Sequence, residues 1–263
     1  MDAFYGVAAG LAGFGQVASI GSAFWLGSRL LNRAGRPGGG TPELLLGLHL
    51  LFAIGVGSIF LSIATTSAYL PEMISPAVFG GLTIGGNLAT LFGLTAALWF
   101  NYRVFHGGQR GGRVVAGVVS ALMWIGFGVY LQAGGMQRDD LYGPASWPYV
   151  ATMVLADVWL VKDALGFRAQ LRRRLALGLA EPLVVDRLLL WSFASLARIA
   201  LVLMAPVTSV LAGRTTELRM ELVPPLLGLS ALLILGATLS LWLMLAPTEG
   251  YRRWVARRYA TAR

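Results

Sequence analysis

LLLGLHLLFAIGVGSIFLSIATTSAYL, residues Leu44–Leu70, runs for 27 residues without an aspartate, glutamate, lysine or arginine. A hydrocarbon core about 30 Å thick takes roughly 20 residues of helix, at about 1.5 Å rise per residue. This stretch is long enough to cross a bilayer, and its apolar residues surround the whole helix rather than forming one stripe. Six more stretches share the character: Phe4–Leu31, Val78–Val104, Val114–Ala133, Trp147–Phe167, Leu188–Leu211 and Leu222–Leu245. The expectation is an all-α membrane protein, an up-and-down bundle of seven transmembrane helices.

Composition agrees with that reading. Of 263 residues 56% are hydrophobic and 13% charged, against about 25% charged in a soluble domain. The spans use nearly the whole chain, so residues 1–249 form one transmembrane domain and residues 250–263 a short basic cytoplasmic tail. The absence of cysteine excludes disulfides, thiolate metal sites and a cysteine nucleophile. Heavy use of arginine, alanine, glycine and leucine suggests a GC-rich bacterial genome, which makes the bacterial inner membrane the expected location.

A net charge of +9 raises nucleic acid as a partner, but the placement of the charge argues against it. Lys162 is the sole lysine, so 20 of the 21 basic residues are arginine. With the N-terminus outside, sixteen arginines fall on the cytoplasmic side, from Arg29, Arg33 and Arg36 to Arg252, Arg253, Arg257, Arg258 and Arg263. Only Arg138, Arg214 and Arg219 then fall outside. The positive-inside rule selects N-outside and C-inside. Met1-Asp2 supplies no positive n-region, so the first span reads as a retained anchor. The expected partner is a bilayer with anionic headgroups, with a membrane-protein partner or a second copy as further candidates and no role for nucleic acid.

The loops are short. Asn32–Glu43 and Phe105–Arg113 are glycine-rich and basic, but the second lacks the strand–loop–helix context of a phosphate cradle. In Arg168–Arg187 the helix of the fifth span is expected to continue to Arg174. Pro182 then turns the chain, and Asp186 caps the sixth helix. Outside loops are Pro71–Ala77, Gly134–Ser146 with Asp139 and Asp140, and Ala212–Glu221. The segment Arg172–Trp191 (RRRLALGLAEPLVVDRLLLW), with Pro42–Leu48 (PELLLGL) and Leu98–Phe105 (LWFNYRVF), resembles a group of uncharacterised seven-helix bacterial inner-membrane proteins. That group carries asparagine where Asp186 stands here. The resemblance implies seven helices and supplies no activity, site or cofactor.

An ionisable side chain at mid-bilayer is costly unless paired or hydrated. Asp157 is the eleventh residue of a span entering at Trp147, and Arg198 lies eleven residues past Arg187 on the next, antiparallel span. Both lie roughly 15–16 Å deep, so a contact is expected, with Asn87 of the third span as a third member or bonded to a neighbouring helix. The pair reads either as a clamp or as a proton or substrate relay. Lys162 and Asp163 lie near the inner end of their span, where lysine can snorkel. Asp157 and Lys162 are spaced and placed wrongly for a retinal site. His49 and His106 differ too much in depth for a bis-histidine haem, so the expected cofactor is none. Gly81, Gly85, Ala89, Gly93 and Ala97 recur every four residues on the third span, and Gly6 and Gly10 on the first. Such spacing permits close helix approach and makes the third helix central. Without a metal cluster, a nucleophile–base pair or paired carboxylates at one depth, the expected role is a non-enzymatic receptor-like or accessory scaffold. The alternative is a carrier built on Asp157 and Arg198. The tail Gly250–Arg263 is expected to lie on the inner membrane surface, with Tyr251, Trp254, Val255 and Arg258 clustered on one side.

Overall fold

A computed structural model describes residues 2–69, 74–134, 144–212 and 216–260. Arg138, Asp139, Asp140 and Arg214, assigned to outer loops by sequence, lie outside the described residues. The fold is all-helical, 90% helix without strands among the described residues, with six helices apolar and long enough to cross a membrane.

The chain begins with α1 (Asp2–Ala34). The second pass is composite: α2 (Thr41–His49) continues through a π-helical segment, Leu50–Val56, into α3 (Gly57–Tyr69). Then come α4 (Pro76–Phe105), α5 (Arg110–Gln132), α6 (Trp147–Ala176), α7 (Pro182–Ala212), α8 (Thr216–Leu245) and the short α9 (Glu249–Ala260). Start signals are local. Ser75 accepts from the Val78 amide ahead of Pro76, while Pro42 and Pro148 occupy the first turns of α2 and α6. Proline suits that position because its missing N–H would have no helical partner there. Pro206 lies inside α7, and Pro224 and Pro225 lie inside α8, so none of them ends a helix.

Consecutive helices pack side by side and α8 returns to α1, closing a ring; α4 also touches α6 across it. One core joins α4, α5 and α6 through Leu94, Met123, Phe127, Tyr149 and Trp159. A second joins α1, α2, α4, α6, α7 and α8 through Leu26, Leu46, Ala97, Leu160, Trp191 and Leu241. The most apolar parts of α4, the composite second pass and α5 are 44%, 39% and 39% buried, against 22% in α1, α7 and α8. By length α6 matches α4 at 30 residues, but it is not among the six because Asp157, Lys162 and Asp163 interrupt its apolar run.

The small-residue stripe on α4 divides. A Cβ at Gly93 would collide with the Ala53 nitrogen, and one at Gly85 would lie 3.0 Å from the Phe60 ring. Ala89 and Ala97 are buried. Gly81, assigned to the same stripe, meets no described atom within 4 Å, and neither do Gly6 and Gly10. A four-residue repeat drifts by about 40° each time around a 3.6-residue helix, so equal spacing does not by itself put every member against a neighbour. The α1–α2 crossing instead uses one glycine from each helix. A Cβ at Gly27 would lie 3.2 Å from the Gly47 carbonyl, and a Cβ at Gly47 would lie 3.1 Å from that of Gly27.

Gly93→Ala should therefore force α4 away from the π-helical segment and cost about 1–3 kcal/mol. Gly117→Ala, where a Cβ meets nothing within 4 Å, should be neutral or stabilising by up to about 1 kcal/mol. Thermal melts in detergent would separate the two; equal stability would mean that the α4 approach is not set by Gly93.

Candidate functional site

Asp157 of α6 and Arg198 of α7 meet inside the ring. Arg198 Nε lies 2.9 Å from each Asp157 oxygen, and Nη2 also donates to Oδ1. This side-on engagement leaves Nη1 pointing the other way, where it lies 2.9 Å from His49 Nε2 of α2. A guanidinium has only donors, so Nε2 accepts and the imidazole proton is on Nδ1. Nδ1 in turn donates to the Gly93 carbonyl of α4 at 3.0 Å. One chain of hydrogen bonds thus ties α2, α4, α6 and α7. Asp157 is 1% exposed and His49 4%, while the Arg198 side chain retains 21%. A carboxylate buried this completely is tolerable only with such a partner.

Asn87 is not a member. Its Nδ2 donates to the Thr83 carbonyl of its own helix at 2.8 Å, as a short polar side chain on a helix can do without any neighbour. Its place is taken by His49, which sequence depth had set closer to the arginine-rich end. The three-methylene stem of arginine spans that difference, because the guanidinium need not lie level with its own Cα. Gly93 enters through its backbone carbonyl, which no side-chain pattern could have shown.

A second network lies towards the arginine-rich end, between α4 and α6. Asn101 Nδ2 and His106 Nε2 each donate to Asp163 Oδ2 at 2.7 Å, and the His106 ring stacks on Trp159. Lys162, beside it, is exposed. His49 and His106 therefore serve separate networks. Among the described residues, no three histidine, aspartate or glutamate side chains gather as metal ligands.

The third network corrects two expectations. Helix α7 starts at Pro182, so Asp186 lies one turn inside it, buried, and does not cap it. Its carboxylate accepts from Tyr251 and, at 3.5 Å, from Tyr259, and it pairs with Arg258 at 3.5 Å. Val255 and Tyr259 pack on Leu175 and Val185. Helix α9 is thus docked on the α6–α7 corner. The side expected to face lipid is split: Tyr251 and Val255 face the protein, whereas Trp254 and Arg258 stay exposed and stack on each other.

Comparison with known protein families, curated proteins and solved structures finds no match for this chain.

Asp157→Asn and Arg198→Gln should each lower stability by about 3–5 kcal/mol, since each strands a buried partner, and the double variant should recover part of the loss. Strictly additive losses in a double-mutant cycle would mean that the two side chains are not coupled in solution.

Burial and the hydrogen bond to Asp186 push the Tyr251 phenol above the usual tyrosine value. A group raised on folding contributes stability below its unfolded value, about 10, and loses it as the pH climbs towards the raised value. Helix α9 should accordingly stay docked up to pH about 10 and loosen above it. Protease sensitivity beyond Leu245 would report this, and Tyr251→Phe should flatten the alkaline transition. A transition of the same size in the Tyr251→Phe protein would assign it to another group.

Proposed function

We propose that the chain is a non-enzymatic accessory or receptor-like subunit of the bacterial inner membrane. In this reading it has seven spans, with the N-terminus outside and the C-terminus inside, and docks a cytoplasmic partner at the α6–α7 corner. Helix α6 counts as the seventh span because Asp157 and Asp163 are held by partners within the bundle and Lys162 can snorkel at its inner end. The distribution of arginines supports the orientation.

The observation that carries the role is the exposed corner. Past Phe167, nine further residues of α6 carry the helix about 13 Å beyond the apolar run. It ends in a tight turn, with the Leu179 amide donating to Arg174 and that of Gly178 to Leu175. Gly178 has φ +73°, a conformation that suits glycine. This turn holds Leu177 and Leu179 out, each 73% exposed, beside exposed Arg172, Arg173 and Arg174. Apolar side chains displayed beyond the reach of acyl chains and rimmed by cations fit an acidic, amphipathic protein segment. The hydrogen-bonded interior favours a rigid support over a moving part.

A second reading, a carrier, draws on the partial exposure of Arg198, which leaves one side of its network open.

The protein purified from native membranes should bring a stoichiometric partner. The double variant Leu177→Ser/Leu179→Ser should release that partner while keeping the melting temperature. Thiols introduced into this cysteine-free chain at Arg36, Gln109 and Leu177 should be shielded from impermeant reagents in intact cells, and one at Ala77 should react. Purification as a lone chain, with liposome flux abolished by Asp157→Asn, would replace this reading with the carrier.

A further inference from the structure

Away from the buried networks, a concavity of about 820 Å³ lies on one exposed face of α1. Its lining changes character along the helix. Gly21, Phe24 and Trp25 form one end, and Arg29, Arg33 and Arg36 the other. Gly21 to Arg33 spans twelve residues, about 18 Å of helix, and Arg36 follows in the turn just past Ala34. The apolar wall is rigid: Trp25 stacks on Trp242 of α8 at 4.6 Å, and Trp242 Nε1 donates to Ser22 at 2.7 Å. The Arg29 guanidinium lies 5.3 Å over the Trp25 ring, where the two chemistries meet. At the far end, Gly21 is exposed and a Cβ on it would meet nothing within 4 Å, so the concavity is open there. Of the three arginines, Arg33 has a carboxylate nearby, Glu43 at 4.0 Å, and that contact is exposed and weak.

We propose that this groove binds one anionic phospholipid of the inner leaflet. Its phosphodiester is held by Arg29, Arg33 and Arg36, and an acyl chain lies along Phe24 and Trp25 over Gly21. The order of the lining is the order of the ligand: hydrocarbon at the Gly21 end, then a ring at the interface, then fixed positive charge where the headgroups begin. A soluble anion would use only the arginine end and leave the apolar half unexplained. A neutral lipid would use only the apolar half. The proposal rests on the orientation given above, because the arginine end of α1 must lie at the inner surface.

The test is native mass spectrometry of the full chain in detergent micelles, titrated with phosphatidylglycerol, phosphatidylcholine or glycerol 3-phosphate. The wild-type chain should retain one phosphatidylglycerol, with about tenfold weaker retention of phosphatidylcholine and none of glycerol 3-phosphate. Arg29→Gln/Arg33→Gln/Arg36→Gln should weaken phosphatidylglycerol retention at least about tenfold. Gly21→Leu, which fills the acyl end without touching the charge, should weaken it as well. Arg172→Gln/Arg173→Gln, on exposed arginines of α6, should leave it unchanged. Unaltered retention in the triple variant would overturn the proposal. So would an equal loss in the α6 variant, which would show a diffuse basic surface, or retention of glycerol 3-phosphate equal to that of the lipid. These readouts need neither an intact membrane nor a partner, so their failure is separable from failure of the topology or the docking role.

Discussion

The Arg198 guanidinium, held between Asp157 and His49, is the point on which the packing of four helices depends. In an apolar interior a lone charge is intolerable, so the arginine can be there only if α6 supplies a carboxylate and α2 an imidazole. The imidazole can face the arginine only if its other nitrogen finds an acceptor. That acceptor is a carbonyl of α4, reachable because residue 93 has no side chain to hold the two backbones apart. Close packing and charge pairing are therefore one requirement at this place: the contact that removes a Cβ also exposes the carbonyl that orients the histidine.

Composition made the helices legible, because a bilayer leaves few alternatives to helix for an apolar chain. Depth arithmetic also put Asp157 and Arg198 at one level, since rise per residue is nearly constant along a helix. What depth arithmetic lacks is side-chain reach and azimuth. It set His49 too far from the pair, and it gave Asn87 a partner on another helix although a carbonyl four residues back was nearer. Spacing alone likewise overstated the glycine stripe, for Gly81 and Gly85 share a period yet only Gly85 has a described neighbour within 4 Å. The one-to-one meeting of Gly27 with Gly47 has no period to detect. Asp186 looked like a cap because acidic residues favour helix starts, but Pro182, four residues earlier, starts the helix first.

Helix α6 shows how polarity can be carried in an otherwise apolar bundle. It is the long helix whose composition falls short of a membrane span, and its two aspartates are the acceptors of two separate networks, one with α7 and α2 and one with α4. Pairing moves the cost of each charge from the single helix to the assembled ring. The helix is consequently better suited to the finished bundle than to isolation, and its neighbours, rather than its own hydropathy, account for its position.

The π-helical segment Leu50–Val56, which begins right after His49, carries a consequence for how the chain can vary in length. An i→i+5 turn behaves as an α-helix with one residue inserted, as the Gly57 amide bonding back to Phe52 shows. Deleting one residue there would let the backbone relax to ordinary α geometry with little net rotation of α3 relative to α2, because the wider turn already absorbs the extra residue. A deletion within the α-helical turns of α3 that precede Phe60 would instead rotate everything beyond by about 100° and turn Phe60 and Leu61 away from Gly85 and Gly86. The wide turn is thus the one stretch of this pass that can shorten by a residue while His49 keeps Arg198 and Phe60 and Leu61 keep their glycines.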